Sequence, residues 1–275
     1  MPSFKTLKRK GVRYALGSAL RKSGHDIEYF SDRRRLKPTP EKVYDINVDD
    51  VNIHLDFGDL PISKAIWQRI EGVREPDTTA IIRSLLRPGD KVLELGSCFG
   101  YFTLLMSASV GESGRVLGVE GFPKYFRILS RNITRNNATN VDLMNAFIGS
   151  KKAFVNFEDG AISPYGGINS YNAEKVIEHD SEKVAVECIN IGQILYEKNY
   201  HPSHIFMDIE GFEVEAIEQL TSRYLHEFNP TLIFEHHEKF YESNKGIEYL
   251  KELLSGCDYE VRKVYGNIIA FKKLF

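Results

Sequence analysis

The sequence predicts an α/β fold, with a mostly parallel, seven-stranded sheet, helices on both faces and an antiparallel hairpin at the C-terminal end. Three observations predict it. From about residue 88 onward, short apolar runs alternate with amphipathic stretches, the pattern of a sheet covered by helices. The apolar runs are rich in Val, Ile, Leu and Phe without strict alternation, as in strands buried on both faces. The last two runs are separated by Gly266-Asn267, a pair suited to a tight hairpin turn.

A chain of 275 residues accommodates one substantial core with an extension. Residues 1–40 read as a basic leader, with eleven Lys or Arg within 1–37 against Asp26, Glu28 and Asp32. The leader is either a solvated tail or, through Phe4, Leu7, Val12, Ala15, Leu16 and Leu20, a short amphipathic helix meeting anionic lipid. Gly11 and Gly17 weaken the second reading. Residues 41–87 form a cover segment, in which Asn47–Asp56 and the stretch around Trp67 are expected to lie over the sheet. The main domain spans 88–275. Its expected strands are Lys91–Gly96, Arg115–Glu120, Val141–Phe147, His204–Asp208 and Pro230–Glu235, and the closing hairpin pairs Tyr259–Tyr265 with Ile268–Lys273. Ala153–Phe157 and Lys183–Ile189 are extra strands flanking a glycine-rich loop.

A net charge of -2 and a pI near 6.5 give no global attraction to nucleic acid. No apolar run approaches the roughly 20 residues of a membrane span, so a soluble, cytoplasmic protein is expected. Cys98, Cys188 and Cys257 are too widely spaced for a zinc site and odd in number for a disulfide framework.

The run Glu94-Leu-Gly-Ser-Cys-Phe-Gly100 is a glycine-bearing turn between a buried strand and a helix, the place where backbone amides meet a crevice ligand. An ordinary strand, turn and helix with a glycine bend reads the same way. A dinucleotide site would want Gly at 96, 98 and 101, and the chain has Gly96, Cys98 and Tyr101. Glu94 would also repel a pyrophosphate. A sulfonium nucleoside, carrying a positive sulfur and an ammonium, reverses that electrostatic argument. Gly96, Ser97, Cys98 and Gly100 then wrap the cofactor, and Glu120 accepts hydrogen bonds from a ribose diol. Gly121 and Phe122 follow that strand, and Phe147, between Ala146 and Ile148, stands where an adenine edge is expected.

Glu94, Gly96 and Gly100 fill an acid-x-Gly-x-x-x-Gly pattern that resembles motif I of class I methyltransferases. Over residues 70–240 the chain resembles the FkbM family of methyltransferases. The likeness rests on Glu75-Pro76, Arg87-Pro-Gly-Asp90, Glu94–Thr103, Glu120 followed by Phe126, Leu129, Asn132 and Asn136, then Met207-Asp-Ile-Glu-Gly-Phe-Glu213 and Ile233-Phe-Glu-His-His237. It implies a Rossmann-like fold, S-adenosylmethionine as cofactor, and methyl transfer to a hydroxyl of a sugar, glycan or polyketide-like metabolite. The family more often has Asp at 94 and Asn at 98.

Methyl transfer needs an aligned oxygen and a proton acceptor. Asp208 and Glu210 after one strand, and Glu235, His236 and His237 after another, are the chemical shortlist, with either histidine as the natural acceptor. Asp208 also borders the cofactor. Asp208, Glu235 and His236 are candidate ligands for a divalent cation such as Mg2+. Glu213 reads as an acid serving a helix N-terminus. The loop Ser163–Tyr171 is suited to shaping an acceptor pocket or is plain surface. An RNA methyltransferase and a non-catalytic interaction module are the competing readings.

Overall fold

The computed structural model describes residues 43–58, 60, 64–72, 74–149, 153–158, 183–220, 222–237, 245–264 and 267–273. The basic leader and the Ser163–Tyr171 loop lie outside them, as do Tyr265, Gly266 and the side chain of Trp67.

β1 (Val43–Val48) and β2 (Val51–Asp56) form a separate antiparallel hairpin. Two helices follow, α1 (Lys64–Ile70) and α2 (Pro76–Leu85). β3 (Lys91–Leu95), α3 (Tyr101–Val110), β4 (Arg115–Glu120), α4 (Pro123–Arg135) and β5 (Val141–Ile148) then alternate. β6 (Ala153–Glu158) and β7 (Lys183–Ile189) come next, then β8 (His204–Met207), α5 (Glu213–Gln219), α6 (Ser222–Phe228) and β9 (Thr231–Glu235). α7 (Ile247–Ser255), β10 (Tyr259–Val264) and β11 (Asn267–Lys272) end the described chain.

The main sheet runs β10-β11-β9-β8-β3-β4-β5-β7-β6. Its first seven members in that order are the seven-stranded, mostly parallel sheet expected, with the antiparallel β10–β11 hairpin at one end. β7 adds parallel to β5, and β6 antiparallel to β7. Side chains alternate between two core layers, as the pleat requires. Val92, Val116, Phe206 and Ile233 join one layer with the β1–β2 hairpin, α2, α3 and α4. Leu93, Leu117, Ile205 and Leu232 join the other with α5, α6 and α7.

α4 shows why these segments are helical: Pro123 sits in its first turn, and Tyr125, Ile128, Leu129, Asn132 and Ile133 are its buried stripe, spaced for one face of a 3.6-residue period. α3 is buried nearly all round, sandwiched between the sheet and the cover segment. The cover segment shares the first core layer, through Ile46, Leu55, Phe57 and Ile66.

β3, β4 and β5 progress toward one edge of the sheet and β8 and β9 toward the other. The order therefore reverses between β3 and β8, where an α/β sheet opens a ligand crevice at its carboxyl end. Glu158 and Lys183 are register partners at the end of the sheet opposite this crevice.

Candidate functional site

Gly96 and Asp208 meet at the reversal point. Gly96 has φ +91, and a Cβ there would run into the Asp208 carbonyl, so glycine both permits the turn and admits the neighbouring strand end. The amides of Gly96 and Ser97 donate to Val119 O at 2.8 and 3.1 Å, and the Gly100 amide closes the turn on Ser97 O at 2.9 Å.

Glu94 is 1% exposed. Its Oε2 accepts from Ser97 Oγ at 2.8 Å and from Thr103 Oγ1 at 2.5 Å. The carboxyl is turned inward, tying the turn to α3. Burial pushes its carboxyl up to about 7, against the opposing hydrogen bonds from Thr103 and Ser97. Gly118 is its register partner on β4, and a Cβ at Gly118 would take the space of Ser97 Oγ.

Glu120 joins the two turns. Its Oε2 accepts from the Cys98 amide and its Oε1 from the Phe122 amide, both at 2.7 Å. Burial raises this carboxyl to about 7 despite those bonds. Carboxylate oxygens retain further lone pairs for a diol. Cys98 has φ 51, the left-handed region in which Asn is better tolerated than Cys. Burial holds its thiol up near 12, so the sulfur stays protonated and unreactive.

Beyond β4, the Phe122 and Phe147 rings meet edge to face at 5.4 Å. Phe147 lies over Gly121, where any Cβ would strike its ring. Ala146 and Ile148 are buried as well. The Asn145 amide donates to Glu120 O at 2.8 Å and Gly121 O at 3.1 Å, fixing this turn; nothing in the strand's apolar pattern marks Asn145.

On the other side of the crevice, His237 is surrounded by acids. Its Nδ1 lies 3.1 Å from Glu213 Oε1, and its Nε2 lies 3.5 Å from Glu210, 3.9 Å from Asp208 and 3.9 Å from Glu235. Burial works to lower the His237 pKa, but the Glu213 hydrogen bond and the charges of Glu213, Asp208 and Glu210 raise it to about 9. Burial, then the Glu235 and Glu75 charges, push the Asp208 carboxyl well above the ordinary range. Glu235 is raised by burial and by Glu75.

Glu75 precedes α2 with φ 43 and is ion-paired with Arg74. One ligand atom each of Asp208, Glu235 and His237 lies within 4.8 Å of the others. The histidine of this set is therefore His237, not the expected His236, whose partly buried ring follows Glu235 in the chain.

Two residues escaped the sequence. Glu213, read as a helix-end acid, is fully buried against His237. Arg69 on α1 is also buried, its guanidinium carbon 5.4 Å from the Phe99 ring centroid, and its charge acts on Cys98 in the turn. The spacing of Glu213 from Asp208 and Glu210 was the available signal for the first; Arg69 has none.

The methyltransferase FkbM domain matches the chain over residues 94–261. A protein-L-isoaspartate O-methyltransferase of Thermosipho melanesiensis is 29% identical over 140 residues, covering 50% of this chain and 60% of that protein. The chain thus spans less than two thirds of that curated relative. The crystal structure of methyltransferase FkbM from Methylobacillus flagellatus KT is similar over 75% of this chain and 53% of its own, with 17% identity and a TM-score of 0.47. The O-methyltransferase from Bacillus cereus in complex with SAH is similar over 72% of this chain and 82% of its own, with 17% identity and a TM-score of 0.46.

Proposed function

The chain belongs to the methyltransferase FkbM domain family, and from that premise we propose that it is an S-adenosylmethionine-dependent O-methyltransferase acting on a hydroxyl of a sugar, glycan or polyketide-like metabolite. The observation that carries this reading is the position of Asp208. Its carbonyl backs onto Gly96 of the cofactor turn, while its carboxylate faces His237 and is raised by burial and then by the Glu235 charge. Cofactor and proton-handling groups therefore share one crevice.

Glu120 is the ribose ligand, with Phe122 and Phe147 at the adenine. Arg69 meets the methionine carboxylate, and the crevice acids favour the sulfonium and ammonium. The cofactor, when bound, supplies an electrophilic methyl. The crevice would hold the acceptor oxygen toward that methyl, and the Asp208 or Glu235 carboxylate would take its proton. Asp208, Glu210, Glu235 and Glu75 around one acceptor position disfavour a carboxylate substrate, so a neutral hydroxyl fits better than an acidic peptide side chain.

A second reading is favoured by the 4.8 Å grouping of Asp208, Glu235 and His237. Two carboxylates and an imidazole suit a divalent cation, which would lower the pKa of a bound hydroxyl.

A labelled-methyl assay over a panel of sugars, glycans and hydroxylated metabolites, run with and without chelator, tests both readings. Transfer to a hydroxylated acceptor is expected. Transfer to RNA alone would replace the reading, and undiminished transfer in chelator would remove the cation. Calorimetric failure to bind S-adenosylmethionine would leave an interaction module. Arg69→Ala is expected to weaken S-adenosylmethionine binding about tenfold, from the loss of one charge-assisted contact. Methylthioadenosine, which lacks the carboxylate, should bind unchanged; equal weakening of both would remove Arg69 from the site.

A further inference from the structure

Glu213 opens α5, a place where an acid commonly serves just the helix end. Its surroundings ask for more. The side chain is 0% exposed. Its Oε1 accepts from the Ile209 amide at 3.0 Å, and both oxygens accept from the Gly211 amide, at 3.3 and 3.1 Å. The same Oε1 stands 3.1 Å from Nδ1 of His237, 24 positions away in sequence. Both oxygens already act as acceptors for backbone amides, so the hydrogen of that contact belongs to Nδ1. The ring's other nitrogen is then the one turned to the crevice, 3.5 Å from Glu210 and 3.9 Å from both Asp208 and Glu235.

We propose that Glu213 is a positioning residue for the transfer reaction, holding the His237 ring through its Nδ1–H so that Nε2 is turned toward Asp208, Glu235 and the acceptor hydroxyl. The proposal rests on the methyl-transfer reading for its catalytic half and on geometry alone for its structural half. By holding the Ile209 and Gly211 amides, the same carboxylate also fixes the turn carrying Glu210, whose φ of 50 brings its side chain to Nε2. A buried carboxylate bound to a histidine in this way sets the ring's tautomer and orientation. A helix-end role needs no contact with β9's trailing residues.

The test is nitrogen-15 spectroscopy of the imidazoles in the full chain, with the His237 signals assigned by their loss in His237→Asn. In the wild type, read at a pH above the ring's value of about 9, the neutral His237 ring is expected to carry its proton on Nδ1. Glu213→Leu, which removes the acceptor, should shift the ring toward the Nε2–H form, and Glu213→Gln, which keeps an acceptor oxygen, should retain the Nδ1–H form. With an acceptor from the labelled-methyl panel, Glu213→Leu should lower kcat about 100-fold, with KM and S-adenosylmethionine affinity within about twofold and substantial recovery in Glu213→Gln.

A neutral wild-type ring protonated on Nε2 overturns the proposal even if Glu213→Leu does not fold. So does a folded Glu213→Leu chain with an unchanged tautomer, or with kcat near wild type. The tautomer is read without turnover, so a correct tautomer in a chain that methylates nothing counts against the proposed function and not against the positioning.

Discussion

Cys98 occupies a position whose backbone favours another residue. Its φ of 51 aims the amide at Glu120, and a left-handed conformation costs an ordinary side chain about 1 kcal/mol or more. Asn, which tolerates that region, is what the family more often carries there. Cys98→Asn is therefore expected to stabilise the fold by roughly 0.5–1 kcal/mol, read as a higher urea midpoint at unchanged slope; a lower midpoint would mean that the packing of the sulfur outweighs the strain. Glu94 makes a residue-scale prediction in pH. Its folded pKa is raised from 4.5 to about 7, so between those values the folded state holds a proton that the unfolded chain has lost. The stability it contributes is complete below the unfolded pKa and is lost as pH rises through the folded one. The unfolding free energy should fall from about pH 5 to pH 7, by on the order of 1–3 kcal/mol from this group. Glu94→Gln should flatten the fall; an equally steep fall in the variant would show that Glu94 titrates elsewhere.

Among the elements, α4 does more than cover the sheet. From its buried face the Asn132 amide donates to Phe99 O and Asp56 O, each at 2.9 Å, while its oxygen accepts from the Asp56 amide at 2.9 Å. One side chain thus joins the cofactor turn to β2. Asn136, one turn on, exchanges bonds with both backbone groups of His54 at 2.8 Å, and Asp56 is ion-paired with Arg131 at 3.0 Å. Asn132→Ala would strand three buried backbone groups and is expected to destabilise by roughly 2–4 kcal/mol. Amide exchange at Asp56 should accelerate beyond that at β9; a uniform acceleration across the sheet would mean that the hairpin is not tied down locally. The sequence presented Asn132 and Asn136 as recurring positions, but an amide's partners lie 33 to 82 positions away and leave no local trace.

At the scale of the whole molecule, the strands and their sheet class were legible because burial on both faces writes itself as continuous apolar runs, and Glu120 and Asp208 stood out because they end such runs. The inward turn of Glu94 was not legible, since Ser97 and Thr103 become its partners only once the turn folds over Gly118. The choice of His237 over His236 was equally hidden, because adjacent residues beyond a strand differ by direction and not by composition. The reversal of strand order between β3 and β8 carries a consequence of another kind. On the proposed reading, residues 94–148 with Arg69 form the nucleotide side of the crevice and residues 204–237 with Glu75 the chemical side, joined across the Gly96–Asp208 contact. On that reading, the second stretch is an exchangeable cassette that sets the acceptor while the grip on the cofactor stays intact. Chimeras that receive residues 204–237 from a relative should keep the recipient's S-adenosylmethionine affinity and adopt the donor's acceptor preference, and a chimera that kept its original acceptor would place selectivity outside that stretch.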